Sequence, residues 1–190
     1  MSRFLRPRAR GDEGTTHVEA VFIFPVVFFI VMAIFEYGFL FAAQSTTQSS
    51  TREAARYASA NFAVAADKKT AADQVRDVVV NDLGARTGYD VPLNLLIYKA
   101  GTDGNPVSGT LSSCTGSCYH YTWNGSTFVY DNNTAIQWTN PQACISATID
   151  AIGVYVELRH NYITGAFGSS ANLKEHTVTR LEPLPLTQCP

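Results

Sequence analysis

One uninterrupted apolar run dominates the first quarter of the chain. Residues 20–43 read AVFIFPVVFFIVMAIFEYGFLFAA and contain a single charged residue, Glu36. A membrane-spanning helix needs about 20 predominantly apolar residues, so this run is long enough to cross a bilayer. The apolar region of a secretory signal sequence is shorter, at roughly 7–15 residues. The alternative, a buried core helix, would need protein on every side of a very apolar segment. The pattern therefore predicts one transmembrane helix.

The polar residues after the run continue the helix. No glycine or proline occurs between Ala43 and Gly84, and the stretch REAARYASANFAVAA is rich in alanine, a strong helix former. We predict one long helix over residues 17–65. We expect it to be loosened near Ser45–Ser50, where serine and threonine are weaker helix formers.

A second helix is predicted from apolar residues that recur at a spacing of three to four. They are Ala71, Ala72, Val75, Val78, Val79 and Leu83. Thr70, followed three residues later by Asp73, resembles a capping signal at the start of this helix, and Gly84 fits its end.

After Gly84 the pattern changes to short β-branched or alternating runs separated by Gly, Asn, Asp and Pro. Candidate strands are 93–99, 119–123, 127–130, 145–150, 153–160 and 174–181, and residues 101–109 and 130–134 are predicted loops. The chain is therefore predicted to be α+β: a long transmembrane helix continues into an outer domain with a second helix and an antiparallel sheet.

Charge orients the membrane helix. Arg3, Arg6, Arg8 and Arg10 precede the apolar run, whereas the first basic residue after it is Arg52. Cytoplasmic flanks carry the excess of Lys and Arg, so the N-terminus is expected in the cytoplasm and the rest outside. The net charge of −2 gives no reason to expect nucleic acid as a partner.

All four cysteines lie in the predicted outer domain, where an oxidising environment favours disulfides. Four cysteines allow three pairings, and the sequence does not choose among them. We favour Cys114 with Cys118, which closes a small loop, and Cys144 with Cys189, which ties down the C-terminal tail. The alternative, a redox or metal motif at CTGSC, lacks the CxxC spacing.

No nucleophile, phosphate-binding loop or paired carboxylates suggest an enzyme, and we expect no cofactor and no metal. The four histidines, His17, His120, His160 and His176, are scattered without ligand spacing. Aromatic residues are concentrated in the outer domain at Tyr119, Tyr121, Trp123, Phe128, Tyr130 and Trp138. We interpret them as packed on strands. The alternative is an exposed adhesive or subunit-contact face.

Three segments near the N-terminus resemble one family. GTTHVEAVFIFPVVF (14–28), FEYG (35–38) and TREAARYAS (51–59) are similar to the TadE/TadG-like minor pilins, or pseudopilins, of the Flp (type IVb, tight adherence) pilus system. Residues 153–168 and 176–183 resemble the late strand and the ending of that family more loosely. Ala20 departs from the family, in which an aromatic residue commonly follows the glutamate.

The resemblance implies a pilin-like fold and a processing site. A prepilin peptidase would cut between Gly14 and Thr15 and remove a basic leader (1–14). Glu19 would then be the fifth mature residue and pair with the new ammonium group of a neighbouring subunit, which sets the register. The alternative is that Glu19 is an interfacial residue of an ordinary anchor. Glu36, Arg52 and Arg56 are candidates for helix packing or subunit contacts.

The implied organisation is a long helix over 15–66, with the transmembrane segment at 20–43, and an extracytoplasmic domain over 67–190. The implied partners are the prepilin peptidase, other pilin or pseudopilin subunits and the pilus assembly platform. The implied location is the inner membrane, or the extracellular pilus itself. The alternative function is an uncleaved, membrane-anchored binding domain.

Overall fold

A computed structural model describes residues 13–83, 88–145, 148–165 and 168–185, together with Thr187 and Cys189. The chain forms two compact units divided between Phe39 and Leu40. The leader arginines and Gly84, the predicted end of the second helix, lie outside the described residues.

Helix α1 runs from Glu13 to Asn61 without interruption. The predicted loosening near Ser45–Ser50 is therefore wrong. The hydroxyls of Thr46 and Thr47 donate to the carbonyl oxygens of Ala42 and Ala43 at 2.9 and 2.8 Å. These side chains satisfy their hydrogen-bonding groups within the helix and need not interrupt it.

Helix α1 ends four residues before the predicted boundary at 65. The side-chain amide of Asn61 donates to the carbonyl oxygen of Tyr57 at 2.9 Å, and the chain then turns. The ammonium group of Lys68 donates to the carbonyl oxygens of Ala63 and Ala65, at 2.9 and 2.5 Å. This lysine satisfies carbonyl groups that no longer have a helical partner.

Helix α2 spans Lys68–Leu83, and its cap differs from the prediction. Asp67, and not Thr70, caps the helix. Its carboxylate accepts the backbone amides of Lys69 and Thr70, each at 3.1 Å. Bonds from the Thr70 hydroxyl and these amides hold the pKa of Asp67 below its ordinary value, because they favour the charged form.

The outer unit contains one five-stranded antiparallel sheet in the order β5-β4-β1-β6-β7 and one small hairpin, β2-β3. The strands are β1 (Asp90–Ala100), β2 (Gly109–Thr110), β3 (Ser113–Cys114), β4 (Cys118–Trp123), β5 (Phe128–Tyr130), β6 (Ala151–Asn161) and β7 (Ser170–Arg180). The α+β class predicted from the sequence is confirmed.

The strand predicted at 145–150 is wrong for the described part of that segment. Ile145 lies in a turn and residues 148–150 form no strand, while Ser146 and Ala147 lie outside the described residues. Asp150 instead joins two segments of the chain that are distant in sequence, one at Gln142 and one at Leu181. Its carboxylate accepts the amide of Gln142 at 2.9 Å, and its carbonyl oxygen accepts the amide of Leu181 at 3.0 Å.

The sheet separates two apolar clusters. Leu95 and Ile97 point to the face covered by the helices, whereas Leu96 and Tyr98 point to the other, because successive side chains in a strand alternate. The helix-side cluster is the larger. Its members on the two helices are Ala43, Ala54, Ala55, Ala58, Ala71, Ala72, Val75, Val79 and Leu83, and Phe62 joins them from the turn after α1.

The aromatic concentration is part of this packing. Tyr119, Tyr121, Phe128 and Trp138 are all buried, so the adhesive-face alternative is wrong for these four. The Tyr121 hydroxyl donates to Asp73 of α2 at 3.0 Å. Burial, with the charge of Asp73, raises the pKa of Tyr121. The aromatic side chains therefore attach α2 to the sheet.

The structure joins Cys114 to Cys118 and Cys144 to Cys189, the pairing favoured from the sequence. The second bond fastens the C-terminal tail. The tail is also held by backbone bonds from Glu182 to the carbonyl oxygen of Ser59, and from Leu184 to that of Ala143, each at 2.9 Å.

Candidate functional site

The N-terminal part of α1 exposes large apolar side chains along its length. Their exposed fractions run from 41 % at Val31 to 74 % at Phe22. The exposed members are Val18, Val21, Phe22, Ile23, Phe24, Val26, Val27, Phe28, Phe29, Ile30, Val31, Ile34, Phe35, Tyr37, Phe39 and Phe41. A contiguous apolar surface of this kind marks a membrane or protein contact.

This helix is long and apolar enough to span a membrane. No residue in its most apolar 18-residue stretch is buried within the protein. The core helix of a soluble protein would be mostly buried, so the exposure of this helix argues against that alternative. The finding is consistent with a membrane-anchored protein.

Two carboxylates bracket the uncharged part of the helix. Glu19 is exposed at one end, and Glu36 is 1 % exposed at the other. The separation of 17 positions in sequence corresponds to about 26 Å along a helix axis. That length is close to the roughly 30 Å hydrocarbon core of a bilayer.

The predicted cleavage point lies among the first described residues of α1. The backbone of Gly14 and Thr15 is helical.

Glu19 comes four residues after Thr15, about 6 Å along the axis and on the same side of the helix. A cut at Thr15 would therefore create an ammonium group within one to two turns of an exposed carboxylate.

The other predicted site residues lie in the outer unit and are not gathered at one place. Arg52 and Arg56 are exposed on α1, one turn apart. The four cysteines form the two disulfides already described. Among the described residues, no group of three or more His, Cys, Asp or Glu side chains is arranged to hold a metal.

A buried polar stripe on α1 was missed by the sequence analysis. Thr47, Ser50 and Thr51 are each 0 % exposed, and the hydroxyl of Thr51 contacts that of Thr177 on β7 at 3.2 Å. The signal was available in the sequence, because small residues recur at a spacing of three to four through Ala54 and Ala58.

Comparison with known proteins identifies the N-terminal segment. The family model for TadE-like protein matches residues 14–56, which include Gly14, Glu19, Glu36, Arg52 and Arg56. No curated protein and no solved structure matches the chain. The resemblance is confirmed over this segment: residues 14–56 are TadE-like, and the match is consistent with a membrane-anchored, Tad pilus-related protein.

Proposed function

We propose that the chain is a minor pilin, or pseudopilin, that takes part in the assembly of a Flp-type (Tad) pilus after a prepilin peptidase cuts between Gly14 and Thr15. The observation that carries the proposal is the family match itself. It begins at Gly14 and contains Glu19 and the exposed apolar helix. The role is assembly and not catalysis.

The residue types fit such a cut. Glycine has no side chain, so a peptidase can approach the carbonyl group of Gly14 without obstruction. The cut would also remove the four arginines that hold the N-terminus in the cytoplasm. The apolar helix could then leave the bilayer for a bundle of subunits at a lower free-energy cost.

Glu19 would act in that bundle. Burying an isolated carboxylate costs several kcal/mol, and a matched ammonium group offsets much of this cost. The new amino group of a neighbouring subunit at Thr15 is such a partner. Removing one member of the pair leaves the other charge buried without compensation, so the pair specifies the axial register between subunits.

The proposed topology places the N-terminus in the cytoplasm and the outer unit outside the inner membrane. The two disulfides are compatible with an oxidising compartment. The proposed partners are the prepilin peptidase, other pilin or pseudopilin subunits and the assembly platform. Processed subunits would remain in the membrane or enter the extracellular fibre.

The proposal is tested by complementing a strain that lacks this subunit but assembles the pilus when it is supplied. Glu19→Gln keeps the size of the side chain and removes its charge, and we expect processed protein but strongly reduced assembly. Glu19→Asp retains the charge and is the matched control, for which we expect partial assembly. Normal assembly with Glu19→Gln would contradict the register role.

Gly14→Ile tests the processing step separately. A β-branched side chain beside the scissile bond should leave the unprocessed, longer form in the membrane. Gly38→Ala is the control, because a methyl group there meets no atom within 4 Å. If Gly14→Ile is shortened and assembled as well as the unsubstituted chain, the proposed cleavage after Gly14 is contradicted.

A further inference from the structure

Strand β7 forms one edge of the five-stranded sheet, and β6 is its single neighbour there. Two backbone bonds flank the strand. The amide of Tyr162 donates to the carbonyl oxygen of Ser169 at 3.1 Å, and the amide of Leu181 donates to that of Asp150 at 3.0 Å. Both bonds continue the register of β6 with β7, and both use odd-numbered residues on the β7 side.

These bonds show which residues of β7 face outward. Hydrogen-bonded residues alternate along an antiparallel pair, so the odd-numbered residues of β7 bond to β6 and the even-numbered ones direct their amide and carbonyl groups away from it. The outward residues are Ser170, Asn172, Lys174, His176, Val178 and Arg180. Within the described part of the chain, no backbone bond joins these residues to another segment.

This open edge is long and regular. β7 has 11 residues without a proline, and its register with β6 contains no shift, whereas the opposite edge strand, β5, has only three residues. The outward groups of β7 recur at every second residue, or about 7 Å, a spacing that another extended backbone matches. The edge is therefore suited to accept one more strand.

A cavity opens beside the same strand, on the sheet face away from the helices. It has a volume of about 680 Å³ and is lined by Lys174, His176, Tyr155 and residues of the 103–112 segment. Tyr155 belongs to the apolar cluster on that face. When a strand is added to a sheet edge, main-chain hydrogen bonds hold it and pockets beside the edge receive its alternate side chains. The edge and the cavity are therefore two parts of one candidate binding site.

The charges beside the edge indicate which kind of strand fits. Lys174, His176 and Arg180 are exposed, and no outward residue of β7 carries a carboxylate. Lys174 contacts the carboxylate of Glu157 at 3.4 Å, but Glu157 is only 7 % exposed. The carboxylate of Asp103, at the cavity, already accepts two hydrogen bonds within its own loop. The exposed charge along the edge is therefore basic and favours acidic side chains opposite it.

A second copy of β7 is a poorer match for this edge. In an antiparallel pair of two β7 strands, outward residues would face outward residues. Lys174, His176 and Arg180 would then meet the same basic set, with no carboxylate among the residues opposite them. Like charges on opposing strands are destabilising, so the edge favours a segment of a different polypeptide.

We propose that β7 binds an extended, acidic segment of another subunit, which adds to the sheet as a further strand. Its main chain pairs with the outward residues of β7. Its side chains on one face alternate along the basic row, and some of them enter the cavity. The inference rests on the proposed function, because that function supplies the neighbouring subunits, but it does not require the cut after Gly14.

The test uses the full chain in the complementation strain that assembles the pilus only when this subunit is supplied. His176→Pro removes an outward amide donor, and an edge strand tolerates such a proline because the bonds to β6 do not use that amide. His176→Ala removes the same side chain but keeps the amide, and is the matched control.

We expect assembly to fall about tenfold with His176→Pro, because a carbonyl group of the added strand is left without its donor. Assembly with His176→Ala should stay near that of the unsubstituted chain. Urea unfolding in detergent checks that both variants are folded.

A charge reversal tests the acidic partner without altering the backbone. His176→Glu combined with Arg180→Glu changes two exposed positions of the edge, and we expect assembly to fall several-fold. His176→Gln combined with Arg180→Gln is the matched control and should assemble better than the reversed pair. If His176→Pro does not fold, this comparison decides the proposal.

The outcomes separate the possible failures. Normal assembly with folded His176→Pro or with the charge-reversed pair overturns the added strand, while the assembly role of the unsubstituted chain stands. Equal losses with His176→Pro and His176→Ala overturn it too, because the side chain and not the backbone then makes the contact. A dimer of the detergent-solubilised chain that His176→Pro abolishes identifies a second copy as the occupant and overturns the acidic partner. If the unsubstituted chain does not restore assembly, the proposed function and the added strand both fail.

Discussion

The two parts of α1 share one continuous backbone but have opposite surroundings. Before Ala43, large side chains such as Phe22 and Phe41 are 74 % and 66 % exposed. After it, Ala54 and Ala55 are 0 % exposed and contribute to the main core. We call these parts the apolar half and the packed half.

Side-chain size explains the difference. The packed half carries small residues where it lies on the sheet, so the helix approaches closely enough for the Thr51 hydroxyl to reach that of Thr177. The apolar half carries Phe, Val and Ile side chains, whose exposure to water is costly at about 25 cal/mol per Å². Burial in the outer unit therefore stabilises one half, and a lipid or subunit environment is needed for the other.

The largest expected effect comes from placing charge in the apolar half. Phe29→Asp combined with Ile30→Asp should release the protein from the membrane, because each charge at the centre of a span costs roughly 2.5–3.5 kcal/mol on insertion scales. Resistance to extraction by alkaline carbonate measures the change. Val64→Asp with Val129→Asp, at exposed positions of the outer unit, should leave the protein in the membrane.

The next effect concerns the tail that covers the end of the packed half. Replacing Cys144 and Cys189 by alanine opens a loop of 45 residues and should lower the free energy of unfolding by about 4 kcal/mol. Replacing Cys114 and Cys118 opens a loop of four and should cost about 2 kcal/mol. Urea unfolding of the full chain in detergent compares them, and equal losses would show that the tail is held mainly by other contacts.

A smaller effect distinguishes the two halves directly. Ala55→Leu adds volume to a fully buried site and should lower the free energy of unfolding of the outer unit by about 1–3 kcal/mol. Val21→Leu, at a side chain that is 67 % exposed, should leave it within about 0.5 kcal/mol. Similar losses at both sites would remove the distinction between packed and apolar halves.

The smallest effect is a pH dependence of the stability of the outer unit, on the sheet face away from the helices. Burial, with the charge of Asp103, raises the pKa of Tyr98 to about 12, and its hydroxyl donates to the carbonyl oxygen of Gly104 at 2.9 Å. A tyrosine ionises near pH 10 when unfolded, so its contribution to stability is complete below about pH 10 and is lost as the pH rises towards about 12.

Tyr98→Phe should therefore flatten the fall of the urea midpoint between about pH 10 and 12. At neutral pH the same change should cost about 1 kcal/mol through the lost hydrogen bond. An unaltered slope would show that other groups, such as Tyr155, whose pKa burial also raises to about 12, dominate alkaline unfolding.

The sequence was sufficient for the elements that depend on local pattern. Three patterns each predicted an element, because residues of one type repeat along one face. The apolar run predicted α1, the spacing of three to four from Ala71 to Leu83 predicted α2, and the alternation of residue types predicted β6. The features that it missed depend on which of several suitable side chains makes a given contact. Asp67 caps α2 although Thr70 has the expected spacing, and Asp150 joins two loops although its segment has a β-branched pattern.

The functional segment was recognisable for a different reason. Gly14 and Glu19 have a fixed spacing relative to the apolar run, so short-range sequence carries the signal.

The most direct test of the account is the N-terminus of the protein isolated from membranes of cells that assemble the pilus. N-terminal sequencing with intact-mass measurement should give a chain that begins at Thr15, with both disulfides formed. A chain that begins at Met1 in those cells would contradict the pilin assignment and leave an uncleaved, membrane-anchored outer domain.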